Sequence, residues 1–412
     1  MLRAVIARPV CAVQRTAGDR CPGSLALHRA QDGWLARVRV PGGRLDACQL
    51  RALARAAALG SGLVEVTSRA NVQLRGLPAD AGARLHGILG DAGLLPSVAH
   101  DRVRNVLASP LAGRHPRACA AIDDLVAALD RGLCADPTLA ELSGRFLFAV
   151  DDGSALALEP PADVALIARG EDSFALALAG EETTAVLRRY EAVDAALAAA
   201  RAFLCERRRR GEEAWRIGEL PAGAASVALA LGSAVVGPLG ICGDERHKPG
   251  VLAQRDGGFA LTALAPLGRL DGEDLPALAR LAPEIRLGVG RTLTVLDVSP
   301  REAPRLAGAL AALGLELRAD SGWTGLSACA GLGRCPRARL DVRTAAARRA
   351  RRRRPRAPAE HWAACERRCG ERAGQEVAIA PLPAGERIAV RIAGREHEAA
   401  TLEAALAMLE AD

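Results

Sequence analysis

The sequence predicts an α/β (α+β) protein built from two kinds of strand–helix unit, each of which occurs twice. Three observations support this fold class. A strand–helix–strand pattern in residues 33–78 recurs after residue 258, a hairpin–helix pattern that begins at residue 163 recurs at residue 376, and two cysteine pairs lie beside the later hairpin alone. Repeated patterns of this size indicate duplicated structural units. The length of 412 residues suffices for two to four domains.

The first unit begins with an alternating stretch at residues 34–40, which is typical of a half-buried strand. Asp46 has the chemistry of a helix N-cap and Gly60 that of a helix stop, so we predict a helix over residues 46–58. A second strand is predicted over residues 63–67.

The same unit returns later in the chain. Residues 266–271 (PLGRLD) match residues 41–46 (PGGRLD), and after a short deletion Arg291 falls on Arg69. Composition alone does not produce so long a run of matches, so we predict a duplicated strand–helix–strand unit.

The second repeat is fainter. Two strands followed by a helix from about Thr183 resemble two strands followed by a helix from about Thr401. We expect a hairpin and then a helix to close an α/β domain in both places. The apolar residues 221–242 consist largely of Ala, Gly, Ser and Pro, which predicts a buried strand and linker and no membrane span.

Four cysteines, Cys329, Cys335, Cys365 and Cys369, form two pairs with five and three residues between their members. Four thiolates suit zinc, copper(I) or an iron–sulfur cluster. Structural zinc sites usually leave two residues between paired cysteines, so the wider gaps favour a cubane [4Fe-4S] cluster. The alternative is four unrelated buried cysteines.

The remaining composition bears on location and partners. The 11 cysteines form no regular disulfide framework and the N-terminus shows no export-signal pattern, so we predict a reducing, cytoplasmic setting. The seven arginines of residues 348–356 equal the formal net charge of +7. We predict that they lie on a solvated helix ending before Pro355; docking of an acidic electron donor is an alternative. Nucleic-acid binding is disfavoured because no aromatic residue interrupts the run.

Together these motifs resemble a known superfamily. The duplicated unit, the loop TSRANVQ at residues 67–73, the tripeptide at residues 104–106 (RNV) and the cysteine spacing are similar to those of nitrite and sulfite reductases. The resemblance implies two ferredoxin-like half-domains that form one domain, and two related α/β domains. The implied boundaries are residues 15–110 and 245–315 for the half-domains, 111–240 for the middle domain, and 316–412 for the cluster domain.

Within that superfamily the sequence looks most like the precorrin-3B synthase branch. The shared features are residues 21–23 (CPG), 108–113 (ASPLAG) and 142–152 (LSGRFLFAVDD). The resemblance implies oxygen-dependent oxidation of precorrin-3A to precorrin-3B, by ring hydroxylation and lactone formation, in aerobic cobalamin biosynthesis. No dinucleotide-binding fingerprint is visible, so the electrons are expected from an external donor, either a ferredoxin or an NAD(P)H-dependent reductase. The resemblance also allows a mononuclear non-haem iron. The spacing of the histidines indicates no ligands for that iron.

A substrate with acetate and propionate arms around its rim requires arginine, because planar guanidinium groups bind carboxylates through two hydrogen bonds. Motif position selects the arginines, with neutral amides as their neighbours. The predicted substrate-binding residues are Arg69, Asn71, Gln73, Arg104, Asn105, Arg145 and Arg291.

Two alternatives stay open. A siroheme-dependent sulfite or nitrite reductase would use Cys369 to bridge to the haem iron, according to the resemblance. Sulfite reductases carry two basic side chains that align with Arg145 and Leu147, and loss of the second cation argues against a small anion as substrate. The other alternative is a non-catalytic iron–sulfur protein that binds a partner or RNA through its arginine-rich helix.

Overall fold

The computed structural model describes residues 18–19, 21–240, 248–372, 375–383 and 387–411. The predicted domain limits at residues 15, 245 and 412 lie outside this part of the chain, as do residues 241–242 of the apolar stretch.

The described chain begins with a unit of strands and helices that contains the first predicted strand–helix–strand pattern. Its elements are β1 (His28–Ala30), β2 (Gly33–Val38), β3 (Arg44–Asp46), α1 (Ala47–Ala57), β4 (Leu63–Val66), β5 (Val72–Leu77) and α2 (Ala81–Asp91).

A middle unit follows. Its elements are β6 (Val106–Ala108), α3 (Asp123–Ala135), β7 (Phe148–Asp151), β8 (Val164–Gly170), β9 (Ser173–Leu178), β10 (Glu181–Arg188), α4 (Arg189–Arg210), α5 (Gly223–Ala230) and β11 (Val235–Pro238).

The copy of the first unit comes next. Its elements are β12 (Gly250–Ala253), β13 (Phe259–Leu264), β14 (Arg269–Asp271), α6 (Leu275–Leu281), β15 (Glu284–Leu287), β16 (Thr292–Val298) and α7 (Ala303–Ala312). The chain then ends with β17 (Leu326–Ala328), α8 (Val342–Arg352), β18 (Glu360–Trp362), β19 (Val377–Pro381), β20 (Ile388–Ile392), β21 (Arg395–Ala399) and α9 (Leu402–Ala411).

The two copies of the first unit exchange a short strand. One sheet has the order β1-β2-β5-β4-β14 and another the order β12-β13-β16-β15-β3, so each contains a strand from the other copy. Leu270 pairs with Val64 in the first sheet, and Leu45 pairs with Ile285 in the second. The predicted duplication is confirmed, and the exchange makes the two copies one structural body.

Asp46 caps α1 as predicted. Its side chain accepts a hydrogen bond of 2.8 Å from the amide of Gln49, and the Gln49 side chain accepts one of 3.1 Å from the amide of Asp46. This reciprocal capping box satisfies two amides that an uncapped helix would leave without partners. Leu50 and Leu53 then turn the apolar face of α1 into the core.

The middle sheet has the order β11-β10-β9-β8-β7-β6, and β6, β7 and β8 run parallel. The predicted helix from Thr183 is wrong, because residues 181–188 form strand β10 and the helix begins at Arg189. Thr183, Thr184 and Val186 are β-branched, a property that favours a strand.

The apolar residues 221–240 also differ from prediction. They form the helix α5 before the edge strand β11, because its sequence GAASVALA is rich in alanine, the strongest helix former. Among the helices in the described ranges, none combines the length and apolar character required to cross a membrane.

The C-terminal sheet repeats the arrangement of the middle sheet. Its order is β17-β18-β19-β20-β21, with the first three strands parallel and the last two antiparallel. The predicted helix near Thr401 is confirmed as α9, but an additional strand, β21, precedes it. Both copies of the second repeat therefore carry a third antiparallel strand between the hairpin and the helix.

The arginine run of residues 348–356 is only partly solvated. The helix ends before Pro355 as predicted, but Arg349 and Arg353 are buried and lie 3.3 Å from a carboxylate oxygen of Glu360. The other oxygen of that carboxylate accepts a hydrogen bond from Trp362. The prediction of a solvated helix is therefore wrong at these two positions, because a buried carboxylate requires cationic partners.

Candidate functional site

The first cysteine of each pair lies after one of two neighbouring parallel strands. Cys329 follows β17, and Cys365 comes three residues after β18. The amide of Cys329 donates to the carbonyl of Trp362 (3.0 Å), and the amide of Ala364 donates to the Cys329 sulfur (3.2 Å). The carboxyl ends of two parallel strands thus bring two cysteines that are far apart in sequence to one edge of the sheet.

All four cysteines lie close enough to interact electrostatically. Burial raises the pKa of the Cys329 thiol, and Cys365 and Cys335 raise it further. Burial also raises the pKa of Cys369, to which the other three thiols contribute. The structure therefore brings the predicted set together.

The chemistry of the donor set suits an iron–sulfur cluster, because a cubane cluster takes one thiolate at each of its four irons. In the described part of the chain, no three or more His, Cys, Asp or Glu side chains are grouped as ligands of one ion. Gly331, Gly333 and Gly370 all have positive φ, which lets the two loops curve tightly around the sulfurs. Ligation of a cluster stays a prediction.

His361 supports the second cysteine loop. Its Nε2 lies 3.1 Å from the carbonyl oxygen of Cys369 and its Nδ1 lies 2.8 Å from Oγ of Ser327, so we assign the Nε2–H tautomer. Burial lowers the pKa of His361 to about 4, with repulsion from Arg291 as a second cause. A Cβ on Gly370 would lie 2.9 Å from the imidazole, so only glycine fits there. Sequence analysis missed this role because His361 shows no ligand spacing.

A group of arginines surrounds Cys21. Arg37 and Arg39 donate to its sulfur over 3.4 and 3.3 Å, and Arg39 also donates to the carbonyl of Gly144 (2.8 Å). Burial lowers the pKa of Arg39 to about 10. The Nε atoms of Arg37 and Arg39 are buried without a hydrogen-bond partner among the described residues. Their position two residues apart on one strand face could have identified them from the sequence.

Arg69 and Arg145 extend this group. Arg69 donates to the carbonyl oxygen of Arg145 (3.2 Å), and burial lowers the pKa of Arg69 to about 10, assisted by repulsion from Arg216, Arg39 and Arg37. The guanidinium of Arg145 lies 4.7 Å above the ring of Trp215. We call Arg37, Arg39, Arg69, Arg145 and Arg216 the arginine group.

The arginine group contains more cations than the nearby carboxylates can neutralise. The buried carboxylate of Asp163 pairs with Arg216 and also accepts hydrogen bonds from the amides of Leu147 and Ile217. Burial raises the pKa of Asp163, while Arg216 opposes that shift. In the described residues Asp101 also acts on Arg39, so five guanidinium groups still outnumber the two carboxylates that act on them. The excess of positive charge favours an anionic ligand.

The predicted amides lie beside the arginine group. Asn71 donates to the side-chain oxygen of Asn105 (2.9 Å), and Arg39 donates to the same oxygen (3.4 Å). Gln73 accepts from Arg37 (3.2 Å) and donates to Glu65 (3.0 Å). The structure thus brings all three predicted amides together with Arg69 and Arg145.

Arg104 has different partners. Its guanidinium donates to both oxygens of Asp130 (2.8 and 2.7 Å) and to the carbonyl of Leu94 (2.8 Å). Only 3% of Arg104 is exposed. No hydrogen bond or ion pair joins its side chain to another predicted site residue in the described ranges. These contacts indicate that Arg104 stabilises the fold.

Arg291 lies between the repeated units and the cysteine loops. Its side chain packs against Gly268, and a Cβ added at Gly268 would lie 2.5 Å from Cδ of Arg291. Burial lowers the pKa of Arg291, Arg372 lowers it further by repulsion, and Glu65 opposes both effects. Its effect on the pKa of His361 shows that it also lies close to the second cysteine loop.

Comparison with known proteins supports the superfamily resemblance. The family described as the nitrite/sulfite reductase ferredoxin-like half domain matches residues 28–90 and 252–313. These two ranges coincide with the two units that exchange strands. The predicted duplication of ferredoxin-like half-domains is therefore confirmed.

One known protein is similar to about a third of the chain in sequence, and one solved structure is similar to most of the chain in fold. A precorrin-3B synthase from a Sinorhizobium species is 32% identical over 139 residues, which cover 34% of this chain and 29% of that protein. The solved structure of the Mycobacterium tuberculosis NirA protein matches with a TM-score of 0.73 and 21% identity, covering 89% of this chain and 77% of that one. The structural match establishes a shared fold, and the sequence match spans under a third of its relative.

Proposed function

We propose that this chain, with its two nitrite/sulfite reductase ferredoxin-like half domains, catalyses the oxygen-dependent oxidation of precorrin-3A to precorrin-3B in aerobic cobalamin biosynthesis. The sequence match to a precorrin-3B synthase supports this proposal. The observation that carries it is the arginine group, in which five guanidinium groups outnumber the carboxylates that act on them in the described residues, Asp163 and Asp101.

The arginine group suits a ligand with several carboxylates. Arg39 is buried, Arg37, Arg69 and Arg216 are half-buried, and Arg145 is exposed. Partly desolvated cations that repel one another are stabilised by an anion that brings its own negative charge. Arg39 and Arg69 both have a pKa of about 10, which shows how strongly burial and repulsion disfavour their charged forms. The acetate and propionate arms of a precorrin would neutralise them through paired hydrogen bonds.

The proposed reaction balances when an external donor supplies electrons. One atom of dioxygen adds as a hydroxyl group to one carbon of a double bond in the ring system, and the other atom leaves as water. The oxygen of a neighbouring acetate bonds to the second carbon of that double bond, which closes the lactone. Two electrons and two protons are required, and we assign the electrons to a ferredoxin or an NAD(P)H-dependent reductase. A [4Fe-4S] cluster held by Cys329, Cys335, Cys365 and Cys369 would relay the electrons one at a time when bound.

The residues of this chain would bind and orient the substrate. Arg69 and Arg145 would hold carboxylates at the rim, while Asn71 and Asn105 fix the position of Arg39. Nine described cysteines are free thiols, which supports the proposed reducing, cytoplasmic location. A mononuclear non-haem iron remains part of the proposal without assigned ligands.

The buried position of Leu147 disfavours the siroheme-dependent reductase. Its side chain is fully buried in the apolar core, so it adds no cation where a sulfite reductase has its second basic residue. The binding of Arg349 and Arg353 to Glu360 likewise weakens the proposal that the arginine-rich helix binds RNA. Strong haem bands in the visible spectrum of the purified protein would support the reductase.

Turnover of the substrate tests the proposal. Anaerobically purified protein is mixed with precorrin-3A, a chemical reductant and isotopically labelled dioxygen, and the product is analysed by mass spectrometry. We expect one labelled oxygen atom in the product and no reaction without dioxygen. Failure to convert precorrin-3A while the cluster is intact would reject the function.

A further inference from the structure

Glu65 is a buried carboxylate that contacts three arginines. One of its oxygens lies 3.3 Å from Arg269, 3.1 Å from Arg334 and 3.1 Å from Arg343, while the other accepts a hydrogen bond of 3.0 Å from Gln73. Only 6% of Glu65 is exposed. Sequence analysis assigned no role to this residue.

These contacts follow from the register of the first sheet. Arg37 pairs with Gln73, Gln73 with Glu65, and Glu65 with Arg269 across four neighbouring strands. Directly paired residues point to the same face of a sheet, so the four side chains form a continuous row. Hydrogen bonds or ion pairs join each neighbouring pair in this row.

Arg334 and Arg343 connect the row to the first cysteine loop. Arg334 lies in the sequence between Cys329 and Cys335, and its carbonyl accepts hydrogen bonds from the amide of Gln31 (3.2 Å) and from Arg75 (2.9 Å). Arg343 donates to the carbonyl oxygen of Cys329 (2.9 Å). Glu65 is therefore one side chain away from the backbone of a predicted cluster ligand.

The surrounding cations keep Glu65 ionised. Burial alone would raise its pKa, but Arg343, Arg75, Arg269 and Arg334 together hold the pKa below its ordinary value. Burial lowers the pKa of Arg343 to about 10, and its Nη1 atom has no hydrogen-bond partner among the described residues. Loss of the Glu65 charge would leave these arginines to repel one another beside Cys329.

We infer that Glu65 is a positioning residue that holds the loop of residues 329–335 against the row of paired side chains on the first sheet. Through its negative charge, Glu65 also lowers the reduction potential of the cluster. The second part rests on the proposed function, because it requires the cluster. Removal of a negative charge beside a cluster favours the added electron and therefore raises the potential.

Replacement of Glu65 by its neutral isostere tests the inference. In Glu65→Gln we expect the reduction equilibrium of the cluster to shift about tenfold toward the reduced form, which equals 59 mV for one electron. The measurement is a redox titration followed by visible absorbance and electron paramagnetic resonance. Glu284→Gln is the matched control, because Glu284 also pairs with two arginines, Arg44 and Arg286, and none of its ion pairs within the described ranges is with a cysteine loop. Its potential should equal that of the wild type.

Arg334→Gln provides a second variant of opposite charge change. It should lower the potential, so the two substitutions should shift it in opposite directions. A shift in the same direction for both, or a wild-type potential in Glu65→Gln, would overturn the assigned electrostatic role. If Glu65→Gln fails to hold a cluster, the Arg334→Gln variant tests the electrostatic role by itself. A lower potential supports that role, and an equal or higher potential overturns it.

The positioning role has a test that needs no cluster. Hydrogen exchange of the apo-protein should show faster exchange of residues 329–335 in Glu65→Gln than in Glu284→Gln. Equal exchange in the two variants would overturn the positioning role. A wild-type protein without iron or sulfide would instead reject the proposed function, which keeps the two failures distinct.

Discussion

Asn71 donates a hydrogen bond of 2.9 Å to the side-chain oxygen of Asn105, and these are the two asparagines of the whole chain. Asn71 accepts from the amide of Val40, and Asn105 donates to the carbonyl of Phe146. The pair thereby joins the first sheet to the middle sheet. Because Arg39 donates to Asn105, the pair also fixes a guanidinium of the arginine group.

Asn71→Ala should destabilise the protein by about 1–3 kcal/mol, because it leaves the buried amide of Val40 and the side chain of Asn105 without their partners. The free energy of unfolding in urea measures the effect. Gln31→Ala is the control, since the Gln31 side chain is exposed, and its effect should stay within about 0.5 kcal/mol. Equal effects of the two variants would contradict the assigned role of the pair.

Arg69→Gln should raise the free energy of unfolding of the ligand-free protein by about 1 kcal/mol, because it removes a half-buried cation that other arginines repel. The same variant should bind a carboxylated tetrapyrrole more weakly, as measured by the change in tetrapyrrole absorbance on titration. Arg29→Gln, on an exposed strand position, should change neither quantity. A less stable Arg69→Gln protein with unchanged binding would contradict the excess of positive charge.

Arg104→Ala should cost about 3–5 kcal/mol of stability, because it leaves the Asp130 carboxylate without its cation. Double replacement by Arg104→Met and Asp130→Leu should restore most of this loss. The double variant should also retain tetrapyrrole binding, measured by the same titration. A well-folded double variant without binding would show that Arg104 contacts the substrate.

The stability contributed by Asp136 should disappear in acid. Hydrogen bonds from Thr138 and then the ion pair with Arg201 lower the pKa of Asp136 from 3.8 to about 2. A folded-state pKa below the unfolded value stabilises the protein above pH 3.8, and this stabilisation is lost as the pH falls toward 2. The difference in unfolding free energy between the wild type and Asp136→Asn should therefore shrink across this window, and a constant difference would contradict the assignment.

Local signals in the sequence predicted part of this structure. The cap at Asp46, the strands of the repeated unit and the end of the arginine-rich helix all follow from residue type and spacing within a few positions. Thr183, Thr184 and Val186 favour the strand β10, whereas the resemblance between the two hairpin–helix repeats predicts a helix there. The exchanged strands β3 and β14 span three residues each, too few to show a period.

The site depends on contacts that no local pattern reveals. Arg269 and Arg334, two partners of Glu65, lie 204 and 269 residues away from it in the chain. Arg104 belongs to the same sequence motif as Asn105, yet its side chain pairs with Asp130 while Asn105 joins the arginine group. Sequence position therefore predicts which segments meet. It does not predict which arginines form ion pairs within the fold and which are left to bind a ligand.

Metal and sulfide analysis of anaerobically purified protein tests the central claim most directly. We predict about four iron atoms and four acid-labile sulfides per chain. Cys365→Ser should lose both, and Cys48→Ser, which alters an exposed thiol on α1, should retain both. Zinc without sulfide in the wild type, or equal loss in the two variants, would contradict the account.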